Sequence, residues 1–379
     1  MSNSGISDIE DLRNQIDKID AGLLSLFENR MEVVLKIAEY KKVNNIEILN
    51  GAREEAVIKK NLELVKNVDL LLEVEEFFKS VMEISRGFQN KKLNIAENSH
   101  SDEKLTVGFY GVTGSFSEEA LKEYFGDKVE TKELSEFEDI FLDLRYGKIN
   151  YGVIPIENSS TGAISEVYDL LNKYNFYIIG EKCLKISQNL MGIKGSTIEE
   201  IKEVYSHEQG LEQSMKFLKE YKNWKLIPFN STAKSAQLVN ERQDKSLAAI
   251  ASVKASKIYD LEILQKNINS NATNTTRFVV IGRDMETTCQ CNKISLVLST
   301  THKAGSLYNV LKHFAESNIN LLKIESRPIV DRPWEYFFYI DFQGNTSEDK
   351  VITAMELIKI NSRYFKVLGN YKSAILDIE

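Results

Sequence analysis

The sequence predicts a multidomain fold: an all-α domain of three helices suited to intertwine with a second copy of itself, then an α/β domain in two lobes, then a small α/β domain. Three observations carry this. Residues 6–92 hold no proline and repeat their apolar side chains at three- and four-residue steps. From Leu105 the period switches to short apolar runs that alternate with helical segments. After Lys293 six short elements follow in the order βαββαβ, the order of a ferredoxin-like domain. At 379 residues the chain is too long for a single core. The expected boundaries are 1–91 for the helical domain, 92–104 for a linker, 105–285 for the two-lobed domain and 292–373 for the last.

In the helical domain Ile9, Leu12, Ile16, Ile19, Leu23, Leu26 and Phe27 recur at helical spacing, and Val34, Ile37 and Ala38 continue them to about Lys42. A helix of this length spans roughly 50 Å, longer than a small domain is wide, so it is expected to pack against a second copy. Two shorter helices follow, Arg53 to about Lys66 and Asp69 to about Asn90, after the connection NNIEILNGA. The polar stretch KKLNIAENSHSDEK reads as the linker. Around the long helix Arg30 and Lys41 sit about 20° apart, whereas Arg13 points about 100° away from Arg30. One chain cannot aim all three at one pocket; an antiparallel pair of chains can. Taken singly, each reads first as an ordinary solvated charge, and what shifts that reading is the whole set. Arg53 and Glu54 open the second helix, and Ser85 and Gln89 lie four apart on one face of the third. Glu54 also fits a capping-box acid below Asn50 or Gly51.

In the two-lobed domain KLTVGFYG is a strand, SEEALKEYFG a helix, YGVIPI a strand and SEVYDLLNKY a helix. IKEVYSHEQGLEQSMKFLKEY and SLAAIASVKASKIYDL continue the alternation, and NTTRFVVIGR closes it with a strand. Between YGVIPI and its helix stands ENSSTG, which holds more hydrogen-bonding groups than a helix cap requires. GFYGVTGSF matches neither GxxxxGK[ST] nor GxGxxG, so a phosphate loop is not indicated. In the last domain ISLVLST, INLLKIES, EYFFYIDFQ and YFKVLGNY are strands, and SLYNVLKHFAES and DKVITAMELIKI are helices.

The net charge of −8 and pI near 5.4 argue against nucleic acid and against an anionic membrane as partners, leaving small enclosed anions. The chain start lacks a signal-peptide pattern and no apolar run reaches membrane-spanning length, so a cytoplasmic protein is expected. Cys183, Cys289 and Cys291 are odd in number and lack paired CxxC spacing, which predicts reduced thiols with neither disulfide nor metal.

LRNQIDKIDAGLLSLFENR, then KK, NGAREE and S-x-x-x-Q resemble the all-helical chorismate mutases over about the first ninety residues. The resemblance implies a [3,3] rearrangement of chorismate to prephenate, which needs no nucleophile, metal or cofactor, only a held chair conformer and stabilised charge on the ether oxygen. It further implies that Arg30 and the partner chain's Arg13 clamp the two carboxylates. Lys41 and Gln89 would donate to the ether oxygen, and Arg53, Glu54 and Ser85 would orient carboxylate and hydroxyl. Asn50 stands where the family commonly has Asp, which alters the charge balance near Lys41.

GFYGVTGSFSEEA, VIPIENSSTGAISEVYDLL, VYSHEQ, FNSTAKSA and NTTRFVVIGR resemble prephenate dehydratase from Leu105 to about Asp284. This implies two lobes like those of periplasmic binding proteins, with ENSSTG as a substrate loop at the carboxyl end of a strand beside a helix N-terminus. Prephenate loses CO2 and its ring hydroxyl as the ring becomes aromatic. By resemblance Thr276 would protonate the leaving hydroxyl, helped by a hydrogen-bonded relay because a threonine hydroxyl barely ionises. Arg277 would hold a carboxylate or position the strand; Asn158, Glu157 and Gln209 would shape the pocket, with Ser115, Ser160 and Thr232 as further donors. The family's SHPQ appears as Ser206-His207-Glu208-Gln209, without the proline that would stiffen the loop.

KAGSLYNVL and IESRPIVDRPWEYFFYID resemble the ACT-type regulatory domain fused to prephenate dehydratases. The implied effector is L-phenylalanine, approached closely at Gly305 with Ser306 and Leu307 beside it, and faced by Glu325, Ser326 and Arg327. Ser306 stands where the family has alanine. The alternative is a pairing module without a ligand. Together the resemblances imply a bifunctional enzyme taking chorismate through prephenate to phenylpyruvate under L-phenylalanine control, as a homodimer or homotetramer. The rivals are a dehydratase with a weakened or regulatory mutase domain, a non-catalytic sensor of aromatic metabolites, and a mutase fused to prephenate dehydrogenase. The last would need a nicotinamide fingerprint that is not visible.

Overall fold

A computed structural model describes residues 9–43, 51–94, 105–271, 273–285, 288–330 and 332–374. The chain divides into two compact units, Met1–Glu103 and Lys104–Glu379. The first contains α1 (Ile9–Val43), α2 (Gly51–Leu62), a 3-10 turn (Val68–Leu70) and α3 (Leu71–Asn94). α2 ends earlier than its apolar spacing predicts, because Leu64 and Val65 turn back to the carbonyls of Asn61 and Leu62. α3 runs on into the stretch read as linker, since KKLN contains no helix breaker. Met31, Val34 and Ala38 of α1 are buried, as are Val81 and Met82 of α3. In contrast Ile9, Leu12, Ile16, Ile19, Leu23, Leu24 and Leu26 are 45% to 68% exposed, so among the described residues of this unit the N-terminal half of α1 carries an uncovered apolar stripe.

The second unit opens with β1 (Thr106–Tyr110), α4 (Phe116–Phe125), β2 (Glu130–Leu134), α5 (Phe137–Arg145), β3 (Tyr151–Asn158), β4 (Gly162–Ala163), α6 (Ser165–Lys173) and β5 (Tyr177–Lys185). The chain then enters a second lobe: β6 (Asn189–Gly192), β7 (Glu203–Ser206), α7 (Glu208–Gln213), α8 (Met215–Leu218), β8 (Lys225–Pro228), α9 (Thr232–Arg242), β9 (Leu247–Ala251), α10 (Val253–Ile258) and β10 (Glu262–Gln265). It returns through β11 (Thr275–Gly282), which pairs antiparallel with both β3 and β5 in the first lobe. The closing strand therefore lies inside the sheet β2-β1-β3-β11-β5, while the second lobe has its own sheet, β10-β6-β9-β7-β8. The two crossings run side by side: Gln188 N–H donates to Asn269 Oδ1 at 2.7 Å and Ile268 N–H to the Gln188 carbonyl at 2.9 Å.

β12 (Lys293–Ser299), α11 (Ser306–Glu316), β13 (Leu321–Pro328), β14 (Tyr336–Gln343), α12 (Asp349–Ile360) and β15 (Tyr364–Tyr371) complete the unit, with an antiparallel sheet ordered β13-β14-β12-β15. This sheet shares a core with the first lobe, where Val297, Tyr339, Leu368 and Tyr371 pack with Tyr168, Ile178, Val279 and Ile281. The approach is close enough that a Cβ at Gly369 would lie 2.1 Å from the Ile178 carbonyl oxygen, so only glycine fits.

Candidate active sites

In the helical unit the Arg30 guanidinium donates to Ser85 Oγ, and Ser85 donates in turn to the Val81 carbonyl at 2.5 Å. Ser85 is buried, and burial lowers the Arg30 pKa. Arg13 lies roughly 25 Å further along the same helix and is exposed. Lys41 falls in the last turn of α1, Arg53 and Glu54 in the first turn of α2, and Gln89 in α3, but their side chains, like Asn50 as a whole, lie outside the described residues. Of the expected set the described side chains therefore bring Arg30 and Ser85 together and hold Arg13 apart.

Between the lobes of the second unit is a cleft of about 310 Å³. Tyr110, Ser115, Phe137, Asn158, Thr276 and Phe278 line it from the first lobe, and Gln188, His207, Gln209, Gln213, Ser231 and Thr232 from the crossing and the second lobe. Asn158 ends β3 directly opposite Thr276 on β11. Its Oδ1 accepts from the backbone N–H groups of Ser160 at 2.8 Å and Thr161 at 3.1 Å. Those donors fix which way the amide points. Nδ2 then donates to Thr276 Oγ1 and to Asn274 Oδ1, each at 2.8 Å. Because Thr276 accepts from Asn158, its own O–H is left to donate elsewhere. ENSSTG is thus clamped to the TTRF strand, and Ser159 adds a bond in each direction with Thr275. Ser160 is exposed on the outside of the loop rather than lining the cleft.

Ser115 caps α4 and Ser231 caps α9, each accepting from a first-turn backbone N–H. Two helix N-termini from opposite lobes therefore open on the cleft. Among the described residues no Lys or Arg lines it; its polar lining is hydroxyl, amide and His207, whose Nδ1 accepts from the Gln209 N–H at 3.3 Å. The loop before α4 is held by the other lobe. Ser252 Oγ donates to the Gly114 carbonyl at 3.1 Å, and Tyr259 OH to that of Thr113 at 2.8 Å. Lys254 pairs with Glu118 at 3.2 Å. Burial pushes the Glu118 carboxyl up, but Lys122, the Gly114 amide and Lys254 outweigh it and hold its pKa below the ordinary value.

Two expectations are corrected here. Arg277 and Glu157 do not face the cleft, because successive strand residues point to opposite sides of a sheet. Glu157 therefore does not shape the pocket, and the carboxylates that Arg277 holds are the protein's own. It donates to Asp341 at 2.6 Å and Glu181 at 3.2 Å, and pairs with Glu157 at 3.2 Å, on the side where the C-terminal sheet packs.

In the C-terminal domain Gly305 caps α11 with a left-handed φ of 81°, and Ser306 Oγ lies 2.9 Å from Thr301 Oγ1. Ser306 and Leu307 line a hollow of about 350 Å³ with His302, Lys303, Trp334 and Tyr336. Glu325, Ser326 and Arg327 are on the edge strand β13, one strand beyond, and do not line that hollow. Arg327 pairs with Asp169 of α6 at 2.8 Å, and Glu325 lies 3.6 Å from Lys323. Within a single chain the two halves of the expected effector site stay apart.

Several cleft residues are not evident from sequence. His207 and Ser231 lay inside quoted motifs and needed only the inference that these loops face inward. Gln188 and Gln213, hydrogen-bonded to each other at 3.1 Å, had no local signal.

Residues 107–286 match the family described as prephenate dehydratase, and residues 12–90 the family described as chorismate mutase type II. The chain is 35% identical over 367 residues, 95% of either sequence, to the bifunctional chorismate mutase/prephenate dehydratase of Buchnera aphidicola subsp. Acyrthosiphon pisum. It is 32% identical over 370 residues to the protein of that name from Escherichia coli strain K12, covering 96% of this chain and 95% of that one. Among solved structures, prephenate dehydratase from Arthrobacter aurescens in complex with L-Phe is 26% identical and superposes with a TM-score of 0.66, covering 71% of this chain and 90% of that one.

Proposed function

The chain belongs to the bifunctional chorismate mutase/prephenate dehydratase family, and from that premise we propose how its residues rearrange chorismate to prephenate, convert prephenate to phenylpyruvate and respond to L-phenylalanine. The observation that carries the dehydratase reading is the Asn158 to Thr276 hydrogen bond at the cleft wall. Prephenate carries two carboxylates, and the cleft meets them with the N-termini of α4 and α9 and the donors Ser115, Thr232 and Gln209. Thr276 donates its free O–H to the ring hydroxyl. The ring C–O bond and the C–CO2 bond break together, CO2 departs, the electron pair it leaves enters the ring, and the hydroxide leaves as water. The Asn158 amide stabilises charge on Thr276 Oγ1 while the proton moves, which is the help a weakly acidic hydroxyl needs, and Oγ1 takes a proton back from water as the products leave.

In the helical unit Ser85 pre-orients Arg30, and the exposed stripe of α1 is covered by the same stripe of a second copy. That pairing delivers the partner's Arg13 to the pocket formed by Arg30 and Lys41, with Arg53, Glu54 and Gln89 completing it and Asn50 beside Lys41. A homodimer is the minimum assembly; a homotetramer satisfies the same geometry. Neither reaction calls for a metal or cofactor, since one is a sigmatropic shift and the other an aromatisation. The C-terminal domain is an ACT-type regulatory module of ferredoxin-like form. L-phenylalanine sits where the Gly305 to Leu307 turn of one chain meets Glu325, Ser326 and Arg327 of another. No helix among the described residues is long and apolar enough to cross a membrane.

The test is purified protein with chorismate alone, following prephenate and phenylpyruvate with and without L-phenylalanine. Phenylpyruvate suppressed by L-phenylalanine is expected. Prephenate that accumulates unchanged would sink the dehydratase reading, and unconsumed chorismate the mutase reading.

A further inference from the structure

We propose that Asp341 and Lys293 of the C-terminal domain are positioning residues for the dehydratase reaction, acting through Arg277 on the strand that carries Thr276. The inference rests on the dehydratase reading above. On β3 and β11 the pairs lie back to back: Asn158 faces Thr276 on the cleft side, and one residue along Glu157 faces Arg277 on the rear. The rear pair enters a buried ionic cluster in which each domain supplies a carboxylate to the other's cation. Asp341, from the C-terminal domain, holds Arg277 at 2.6 Å, and Glu181, from the first lobe, holds Lys293 at 2.9 Å. Lys323 reaches Glu157 at 2.7 Å across the same boundary.

Three cations, Arg277, Lys293 and Lys323, pair with the carboxylates Glu157, Glu181 and Asp341, and Glu325 lies 3.6 Å from Lys323 at the rim. The four central members are at most 6% exposed. The two carboxylates are held further: Ser295 donates to Asp341 at 2.6 Å, and Ser373 to Glu181 at 3.1 Å. A buried ion pair of this kind adds little net stability, but removing one partner leaves an uncompensated charge and frees the other to move. What moves here is Arg277, bonded in sequence to Thr276. The C-terminal domain is thereby part of what aims the Thr276 hydroxyl.

The experiment compares Asp341→Asn, Asp341→Glu and the parent full-length chain for kcat and KM with prephenate, for mutase rate with chorismate as the internal control, and for hydrogen exchange over residues 275–278. In Asp341→Asn kcat should fall roughly tenfold or more with KM within about twofold, because misplaced chemistry costs rate without loosening substrate. Exchange over 275–278 should quicken, the mutase rate should hold, and Asp341→Glu should recover part of kcat. Parental kcat and exchange in folded Asp341→Asn would overturn the proposal, as would a rise in KM alone. If Asp341→Asn does not fold, Ser295→Ala, which frees Asp341 along with the Tyr371 hydroxyl 2.7 Å away, should show the same kcat loss to a smaller degree, and parental kcat there would overturn it. A parent chain that makes no phenylpyruvate would instead refute the dehydratase reading, while exchange in the variants would still decide whether the cluster holds the strand.

Discussion

The helical unit and the dehydratase cleft solve the same problem, holding a dicarboxylate, with opposite economy of chain. The cleft is complete within one copy: both lobes come from one polypeptide, the Asn158 to Thr276 bond joins two strands of one sheet, and Ser252 and Tyr259 tie one lobe to the other. On the proposed reading the helical unit is not. It pre-orients Arg30 on Ser85 but leaves Arg13 far along an exposed apolar stripe. The cleft also lacks arginine and lysine among its described lining residues, whereas the proposed helical site draws on them. An enclosed cleft with convergent helix ends can neutralise an anion with neutral donors, while a site on the surface of a helix bundle needs full charges and a second chain.

The sharpest way to test this separation is Thr276→Val, which keeps shape and removes the hydroxyl. Dehydratase kcat should drop by roughly 10² to 10⁴ while chorismate still becomes prephenate at the parental rate. Parallel loss of both activities in a folded protein would break the comparison. The next largest effect concerns the shared site. Arg13→Ala and Lys41→Ala chains should each be inactive as mutases, yet after subunit exchange about a quarter of parental activity should return, because half of the dimers are mixed and half of their sites are intact. No recovery despite demonstrated exchange would place Arg13 outside the partner's pocket.

A smaller effect separates the units by stability. Gly369→Ala would set a Cβ against the Ile178 backbone, which cannot yield as a side chain tip does. We expect roughly 3 kcal/mol of destabilisation confined to the second unit, read as an earlier unfolding step by calorimetry, with mutase activity kept at temperatures where dehydratase activity is lost. Coincident loss of both would show that the units unfold as one.

Much of this was legible because it is local. Helical spacing locates α1 and α3, and ENSSTG stands out by its hydrogen-bonding groups, while TTRF reads as an ordinary strand without the family resemblance. That Asn158 pairs with Thr276 was not legible, since the contact closes a loop of more than a hundred residues. The orientation of Arg277 was a different kind of miss: two adjacent strand residues face opposite ways, so Thr276 and Arg277 could not both line the cleft, and the period of a strand already says so. Asp341 is a carboxylate inside the apolar run EYFFYIDFQ, and nothing local names Arg277 as its partner. β2 (ETKEL) escaped notice because it is an edge strand with few apolar residues, its pairing decided by β1 rather than by its own pattern.

The smallest effect is one of pH, and it too distinguishes the units. Burial pushes the Asp341 carboxyl up, but Arg277, Lys293 and Ser295 outweigh burial and hold it down to about 2 against an ordinary 3.8. A carboxyl whose pKa is lower folded than unfolded stabilises the fold fully above the unfolded value, and that contribution is lost as pH falls from near 4 toward 2. Acid titration should therefore loosen the contact between the C-terminal sheet and the first lobe in that window. The near-ultraviolet signal of Tyr168, Tyr339 and Tyr371, which pack at this contact, reports it. In Asp341→Asn the same group no longer titrates, so the variant should begin less stable at neutral pH and lose less between pH 4 and 2. An acid transition of the same size in both proteins would mean that other carboxylates, and not this cluster, govern the acid limb.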